Sequence, residues 1–114
     1  MLFRSQTAYF WLRQRDYSRA GATTEESEGL IDHIRSIEGV QVAIVFEEIE
    51  PTLTRISLRS KTELIDVNSI AKIFGGGGHK AAAGARAAGS PLGVQRRILT
   101  AVRKALEAAK QAQA

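Results

Sequence analysis

Four consecutive glycines, Gly75–Gly78, stand directly before His79 and Lys80, and this stretch is the part of the sequence best suited to hold a ligand. Glycine lacks a Cβ atom, so such a loop can adopt positive φ angles and turn its N–H groups outward. Outward N–H groups beside a histidine and a lysine make a cradle for an anion such as phosphate. Linker glycines are usually mixed with Ser and Pro, whereas this run lies between two patterned, apolar segments. We therefore expect a phosphate group to be held by Gly76, Gly77, Gly78 and His79.

Two residues upstream complete the candidate site. Arg59 ends an alternating strand with its side chain on the polar face, and Ser60 follows it. Arginine offers phosphate a planar fork and gives a base a surface for stacking, while serine adds a hydroxyl donor. On the residues alone, an ordinary charge at a strand end explains Arg59 equally well. Likewise, Lys80 is either a phosphate ligand or a solvated charge, and His79 is either a ligand or a cap for the helix that ends at Phe74.

Two well-known phosphate motifs fit the glycine run only in part. Gly76-x-Gly78-x-x-Ala81 is similar to a dinucleotide fingerprint, and glycines before Lys80 are similar to a P-loop. Both motifs require a strand, then the loop, then a helix N-terminus. Here the glycines follow a predicted helix, and Ala81 stands where a P-loop needs Ser or Thr, so we exclude both motifs.

The strands that position these residues follow from their hydrophobic patterns. Alternating, β-branched or aromatic residues predict strands over residues 7–12, 40–46 and 53–59. A fourth strand is predicted at residues 83–87. The second and third strands should form a hairpin around a turn at residues 47–52, which contains Pro51. The strand at 83–87 consists of small residues that allow close packing.

Three amphipathic helices are predicted between and after the strands. Thr23 and Glu26 form a capping box for a helix that runs to about Ile37, with Gly39 as its stop. Asp66 caps a second helix that Gly75 ends. Ser90 caps a third helix, which begins with Pro91 and has an apolar face. The apolar stripes of the second and third helices are Val67, Ile70, Ala71 and Phe74, and Ile98, Leu99, Val102, Ala105, Leu106 and Ala109. These elements predict an α/β fold, a single small domain with a mixed β-sheet of about four to five strands flanked by helices.

Composition sets further limits. The chain has 114 residues, no cysteine and a net charge of +4, which excludes disulfides and thiolate metal sites and favours a phosphate-bearing partner. It contains no apolar run long enough for a membrane span and no secretory signal, so we expect a cytoplasmic protein without a membrane partner. The basic residues of the last helix either track a nucleic-acid backbone or, as we favour, form its solvated face: Arg96, Arg97, Arg103 and Lys104.

The ordered set of motifs resembles the C-terminal DHH-associated (DHHA-type) domain of DHH-family phosphoesterases, in particular the branch of oligoribonucleases that also act on phosphoadenosine phosphate. The resemblance extends from about Thr7 to Leu106. It departs from the family at Ser27, where an Asp is usual, and at Ala82, where an Asn is common. The matching residues are Gly21–Thr23, Glu28–Leu30, Arg35–Ile37, Ser57–Ser60, Asp66–Asn68 and Gly75–Gly84.

This resemblance implies that residues 1–114 form a substrate-binding domain, with 1–6 disordered or a linker remnant. It implies that an N-terminal DHH catalytic domain, which we expect to lie outside this chain, holds two manganese ions. The chain itself has only three aspartates and two histidines, too scattered for a dinuclear centre, so we expect no catalytic residue, metal or cofactor and no hydrolysis by this chain alone.

The ligands implied by the resemblance are nucleotides or short single-stranded oligonucleotides. The residues that would bind them are Arg59, Ser60, Gly76, Gly77, Gly78, His79 and Lys80. The domain would contact the DHH catalytic domain, and a homodimer is open as a further partner. Two alternatives stay open. One is a non-catalytic nucleic-acid-binding module like the C-terminal domain of alanyl-tRNA synthetases, which also has a glycine-rich loop. The other is a domain for protein association, in which the glycine loop is structural.

Overall fold

The structure, a computed structural model, describes residues 2–3, 6–13 and 24–113. Its centre is a six-stranded sheet with strand order β1-β2-β3-β4-β6-β5. The strands are β1 (Leu2–Phe3), β2 (Thr7–Leu12), β3 (Val42–Glu50), β4 (Leu53–Ser60), β5 (Gly77–His79) and β6 (Ala82–Ala88). The helices are α1 (Thr24–Arg35), α2 (Val67–Ile73) and α3 (Pro91–Gln113).

The predicted α/β class with a mixed sheet and flanking helices is confirmed, and the sheet is one to two strands larger than expected. Strands β2 and β3 are parallel, and every other neighbouring pair is antiparallel. A parallel pair needs a long crossover connection, and α1 lies within the one that joins β2 to β3. The additional strands are short: β1 and β5 have two and three residues.

One prediction about a boundary was wrong. Residues 1–6 were expected to be disordered or a linker remnant; of these, Leu2 and Phe3 pair with Ala8 and Thr7 as strand β1, and residues 1, 4 and 5 lie outside the described part of the chain. The hairpin turn was expected at residues 47–52, but β3 continues to Glu50 and the turn is confined to Pro51 and Thr52. The acidic end of β3 stays in the sheet because Glu47, which is buried, forms an ion pair with Arg55 on β4.

The two faces of the sheet pack against different helices. On one face, called the core face here, the apolar side chains of β3 and β4 pack against α2, α3 and the alanines of β6; its fully buried strand residues include Val42, Ile44, Phe46, Ile56 and Leu58. On the opposite face, α1 packs over β2 and β3 through Ile31, Ile34, Ala43 and Val45, among others. The remaining strands of that face, β4, β6 and β5, form what we call the cleft face.

The starts of α2 and α3 follow the predicted capping residues, whereas α1 ends at Arg35, two residues before the predicted end at Ile37. Asp66 Oδ1 accepts hydrogen bonds from the backbone N–H groups of Asn68 (2.9 Å) and Ser69 (3.3 Å) at the start of α2. Ser90 Oγ accepts one from the N–H of Gly93 (3.1 Å), and Pro91 is the first residue of α3. The predicted stripes of both helices are buried or partly buried in the core. The capping box predicted at Thr23 and Glu26 lies outside the described side chains.

Aromatic residues of β2 attach this strand to the rest of the domain. Trp11 stacks on Phe46 with ring centroids 4.7 Å apart, and its indole N–H donates to Gln95 Oε1 of α3 at 2.6 Å. Tyr9 meets Phe46 edge-on, and Phe10, on the opposite face, is 41% exposed. These three side chains therefore alternate between the two faces of the sheet, as the geometry of a strand requires. No helix of residues 24–113 is both long and apolar enough to span a membrane.

Candidate functional site

An open cleft lies on the cleft face, between the glycine run and strands β4 and β6. It has a volume of about 660 Å³, within the usual range of ligand pockets. Arg55, Ser57 and Arg59 line it from β4, and Gly84 and Arg86 line it from β6. The glycines Gly75, Gly76, Gly77 and Gly78 form its third side. The cleft therefore combines a floor of small residues with three guanidinium groups.

Strand register places the residues of the cleft in rows. Arg59 lies opposite Ala82, which lies opposite His79, so the three residues form one row across β4, β6 and β5. Residues directly opposite each other share a face of the sheet, and strands are about 4.8 Å apart, so the backbones of Arg59 and His79 are roughly 10 Å apart. His79 is exposed at the edge of the cleft. The sequence-predicted pair Arg59 and His79 is thus brought to the same face.

The next row supplies the floor. Ser57 lies opposite Gly84, and Gly84 lies opposite Gly77. These residues are only partly buried, and two of the three have no side chain, so the row leaves a depression beside Arg59. The shortness of these side chains gives a ligand access to the sheet backbone.

Arg59 is held in place by the surrounding protein. Its Nη1 donates to the backbone carbonyl of Leu58 at 3.0 Å, and its Nε lies 4.0 Å from Asp32 Oδ1 of α1. The side chain is 15% exposed, while the Asp32 side chain is 57% exposed and also contacts Arg35 at 3.6 Å. Arg59 therefore stands at the border between the part of the sheet that α1 covers and the open cleft.

The first two glycines of the run terminate helix α2. Gly75 has a positive φ of 81°, and its N–H donates to Lys72 O at 3.1 Å. The N–H of Gly76 donates to Ala71 O at 2.9 Å. These two hydrogen bonds form a Schellman motif, which satisfies the last carbonyl groups of the helix. The predicted role of Gly75 is confirmed, and it is these glycines, rather than His79, that cap the helix.

Gly76 and Gly78 are also required by close packing on β6. A Cβ atom at Gly76 would overlap the carbonyl oxygen of Gly84 and lie 2.7 Å from Ala85 Cα. At Gly78, where φ is 153°, it would lie 2.6 Å from Ala82 O. The N–H of Gly78 donates to Asn68 Oδ1 at 3.0 Å. The N–H groups of Gly76 and Gly78 thus have partners within the chain, which differs from the prediction that they point outward to a ligand.

Two sequence-predicted residues are placed away from the cleft. Ser60 pairs with Val42 on the core face, is buried, and donates its hydroxyl proton to Thr62 O at 2.7 Å. Because side chains alternate along a strand, Ser60 and Arg59 point to opposite faces, so the structure does not bring them together. Lys80 is exposed in the turn between β5 and β6, and its carbonyl accepts from the N–H of Val67 at 3.0 Å.

Three residues of the cleft were missed by the sequence reasoning: Arg55, Ser57 and Arg86. The first two were detectable, because they alternate with the apolar residues of β4 and so share a face with Arg59. Arg86 could not be placed without the register, which sets it opposite Arg55.

The charged side chains that line the cleft do not fit a metal ion, because guanidinium groups are cationic and donate hydrogen bonds. Within residues 2–3, 6–13 and 24–113, no three His, Asp or Glu side chains form a metal-binding group. The cleft is suited to an anion.

Comparison with known families gives one match along nearly the whole chain. A sequence profile of the DHHA1 domain matches residues 6–113. The match includes the cleft, the glycine run and all three helices.

Comparison with solved structures supports the same fold. An exopolyphosphatase-related protein from Bacteroides fragilis is similar with a TM-score of 0.84 and 24% identity, over 96% of this chain and 32% of that one. The pGpG-specific phosphodiesterase PggH from Vibrio cholerae has a TM-score of 0.54 and 14% identity, over 96% of this chain and 34% of that one. This chain spans about a third of the length of these two proteins.

A third structure is matched over most of both chains. The C-Ala domain of Aquifex aeolicus alanyl-tRNA synthetase has a TM-score of 0.57 and 15% identity, over 85% of this chain and 84% of that domain. At these identities, the three similarities concern the fold.

Proposed function

This chain belongs to the DHHA1 domain family, and we propose that it is the substrate-binding domain of a DHH phosphoesterase, which holds the phosphate of a nucleotide or short single-stranded oligonucleotide in the cleft. The observation that carries the proposal is the placement of Arg59 and His79 in one row on an uncovered, arginine-lined half of the sheet. Two similar proteins are described as exopolyphosphatase-related and as a pGpG-specific phosphodiesterase, names that concern phosphate-containing substrates.

In the proposed complex, Arg59 is the main phosphate ligand. Its Nη1 donates to Leu58 O and its side chain is only 15% exposed, so little side-chain entropy is lost when an anion binds. His79, across Ala82, donates a hydrogen bond to the same phosphate or to the adjoining sugar. Gly77 lets the nucleoside approach the backbone of β5. Lys80, at the exposed tip of the turn, adds a diffuse positive charge.

The proposal gives this chain a positioning role. Hydrolysis, and the manganese that the family resemblance implies, are assigned to a separate DHH catalytic domain facing the cleft. Within the family, we favour the branch of oligoribonucleases and phosphoadenosine phosphate phosphatases, acting in the cytoplasm, and a homodimer is compatible with this role.

A second candidate is a nucleic-acid-binding module. It is favoured by the similarity to the alanyl-tRNA synthetase C-Ala domain, which extends over 84% of that domain. In this case, binding would use a long RNA and the exposed basic residues of α3, such as Arg96 and Lys104. The two candidates differ in the length of ligand that they require.

Titrations with adenosine 3′,5′-bisphosphate, a tetranucleotide and a long structured RNA distinguish the candidates. We expect the first two ligands to bind, and Arg59→Ala or His79→Ala to weaken both by tenfold or more, about the contribution of one hydrogen bond to a charged group. Arg96→Ala, on α3, is the matched control and should change neither affinity. Thermal unfolding followed by circular dichroism verifies that the variants are folded. Binding of long RNA alone, with a steep dependence on salt, would support the second candidate against the first.

A further inference from the structure

Arg55 and Arg86 lie directly opposite each other on β4 and β6, at the end of the cleft away from Arg59. Side chains that pair in this way have Cβ atoms about 5 Å apart, and two like charges in this position destabilise the sheet. A paired arrangement of two arginines therefore opposes folding unless an anion lies between or above them. No such cost would arise with a neutral residue at either position.

The nearby acidic groups compensate only one of these charges. Glu47, whose side chain is 8% exposed, lies opposite Arg55, and the atoms Arg55 Nη1 and Glu47 Oε2 are 3.6 Å apart. Arg86 is exposed, and within the described part of the chain no side chain forms an ion pair or hydrogen bond with it. This end of the cleft therefore keeps an excess positive charge that faces solvent.

The distance between the two ends of the cleft sets the size of the ligand. Arg55 precedes Arg59 by four residues on β4, which corresponds to roughly 13 Å along an extended strand. The row of Ser57, Gly84 and Gly77 lies between the two ends and offers a low floor. One phosphate group cannot contact both ends, whereas two phosphates separated by nucleoside units can.

We propose that Arg55 and Arg86 form a second phosphate subsite, which makes the cleft selective for oligonucleotides over mononucleotides. The proposal rests on the proposed function, since it assumes that Arg59 and His79 hold the first phosphate. In it, Arg86 provides the positive charge and the guanidinium fork for the second phosphate, and Arg55, whose charge Glu47 balances, offers its remaining N–H donors. The floor row between the subsites carries the intervening sugars and bases.

The experiment compares AMP with 5′-phosphorylated tetra-adenylate in binding titrations of the chain. Arg86→Ala should lower the affinity for the tetranucleotide about tenfold, which is the effect of losing one hydrogen bond to a charged group. It should change the affinity for AMP by less than about twofold. The slope of log affinity against log salt for the tetranucleotide should fall by about 0.7, because one phosphate contact is lost. Arg86→Lys keeps the positive charge but not the planar guanidinium fork, so its affinity for the tetranucleotide should lie between those of the unmodified chain and of Arg86→Ala. Lys110→Ala, at an exposed position in the last turn of α3, is the control for a general loss of positive charge.

The outcomes separate this proposal from the function on which it rests. If Arg86→Ala lowers the affinity for AMP as much as the affinity for the tetranucleotide, Arg86 belongs to the first site, and the second subsite is refuted. If the unmodified chain binds both ligands and Arg86→Ala changes neither, the second subsite is refuted while the proposed function stands. If the unmodified chain binds neither ligand, both proposals fall.

Discussion

The two faces of the sheet differ in how completely helices cover them and in which side chains they carry. The core face is continuous from β2 to β6 and is closed by α2 and α3, with apolar residues of β3 and β4 fully buried. The opposite face is closed only where α1 covers β2 and β3, and it exposes a row of glycine and serine between arginines on the other strands. Folding therefore depends on the core face and on the part of the opposite face under α1, so the cleft face is free to carry charged residues that folding alone would not favour.

The largest expected effect is on stability and comes from the centre of the core face. Phe46 is fully buried and contacts both Tyr9 and Trp11. Phe46→Ala should lower the free energy of unfolding by about 3–5 kcal/mol, because it removes a large apolar side chain and leaves a cavity. Ser57→Ala on the cleft face is the control and should change the free energy of unfolding by less than about 0.5 kcal/mol. Urea denaturation measures both values, and comparable losses for the two variants would contradict the division between the faces.

The next effect separates the packing glycines from the ligand-facing glycine. Gly76→Ala should destabilise the domain by about 1–3 kcal/mol, because its Cβ atom would overlap Gly84 O and the two backbones would have to move apart. In Gly77→Ala, the added Cβ atom would have only Asn68 Oδ1 nearby, at 3.4 Å, so this substitution should leave the stability of the domain nearly unchanged. Instead, its methyl group lies in the cleft and should weaken nucleotide binding.

Thermal unfolding and nucleotide titration of these two glycine variants should therefore give opposite rankings. The comparison fails if Gly77→Ala unfolds the domain or if Gly76→Ala leaves it intact.

A smaller effect concerns the helix that leads into the glycine run. Asp66→Ala should cost about 1 kcal/mol, because the N–H groups of Asn68 and Ser69 lose their acceptor at the start of α2. Asp66→Asn should retain most of the stability, since asparagine is an equally good N-cap. Equal destabilisation by both substitutions would show that the charge of Asp66, rather than its capping oxygen, is what matters.

The smallest effect is expected at the border between the covered and open parts of the sheet. Asp32→Ala removes the carboxylate 4.0 Å from Arg59 Nε and should tighten phosphate binding about twofold at low salt, since an exposed pair contributes less than about 1 kcal/mol. The gain should disappear as the salt concentration rises. Glu38→Ala, an exposed acid after α1, is the matched control. Weaker binding by Asp32→Ala would instead show that Asp32 orients Arg59 for the ligand.

The elements that could be predicted from the sequence are those with a local signature. Asp66, Ser90 and Gly75 identified helix ends because capping is a contact between near neighbours in the chain. The strand over residues 53–59 was predicted for the same reason, since its two-residue period is visible in the sequence, and β6 was predicted as a strand of small residues. The end of β3 was misplaced because the acidic residues there remain in the sheet through an ion pair with β4.

The candidate site was predicted less completely because it depends on register. Arg59 and His79 were identified from the motifs, but the row that joins them depends on the pairing of β4, β6 and β5. The same pairing places Arg86 beside Arg55 and turns Ser60 away from the cleft. The glycine run was interpreted as a ligand loop, and the structure adds that Gly76 and Gly78 are needed because their backbone lies against β6.

Trp11 has a spectroscopic consequence. It is the sole tryptophan of the chain, its ring stacks on Phe46, and its indole N–H is bonded to Gln95, so one fluorophore touches β3 and α3 from β2. Its emission maximum should therefore report the docking of the N-terminal strand, and it should shift to longer wavelength when that strand separates from the sheet. Because the cleft lies on the other face, nucleotide binding should leave this signal unchanged, which allows folding and binding to be followed independently in one sample.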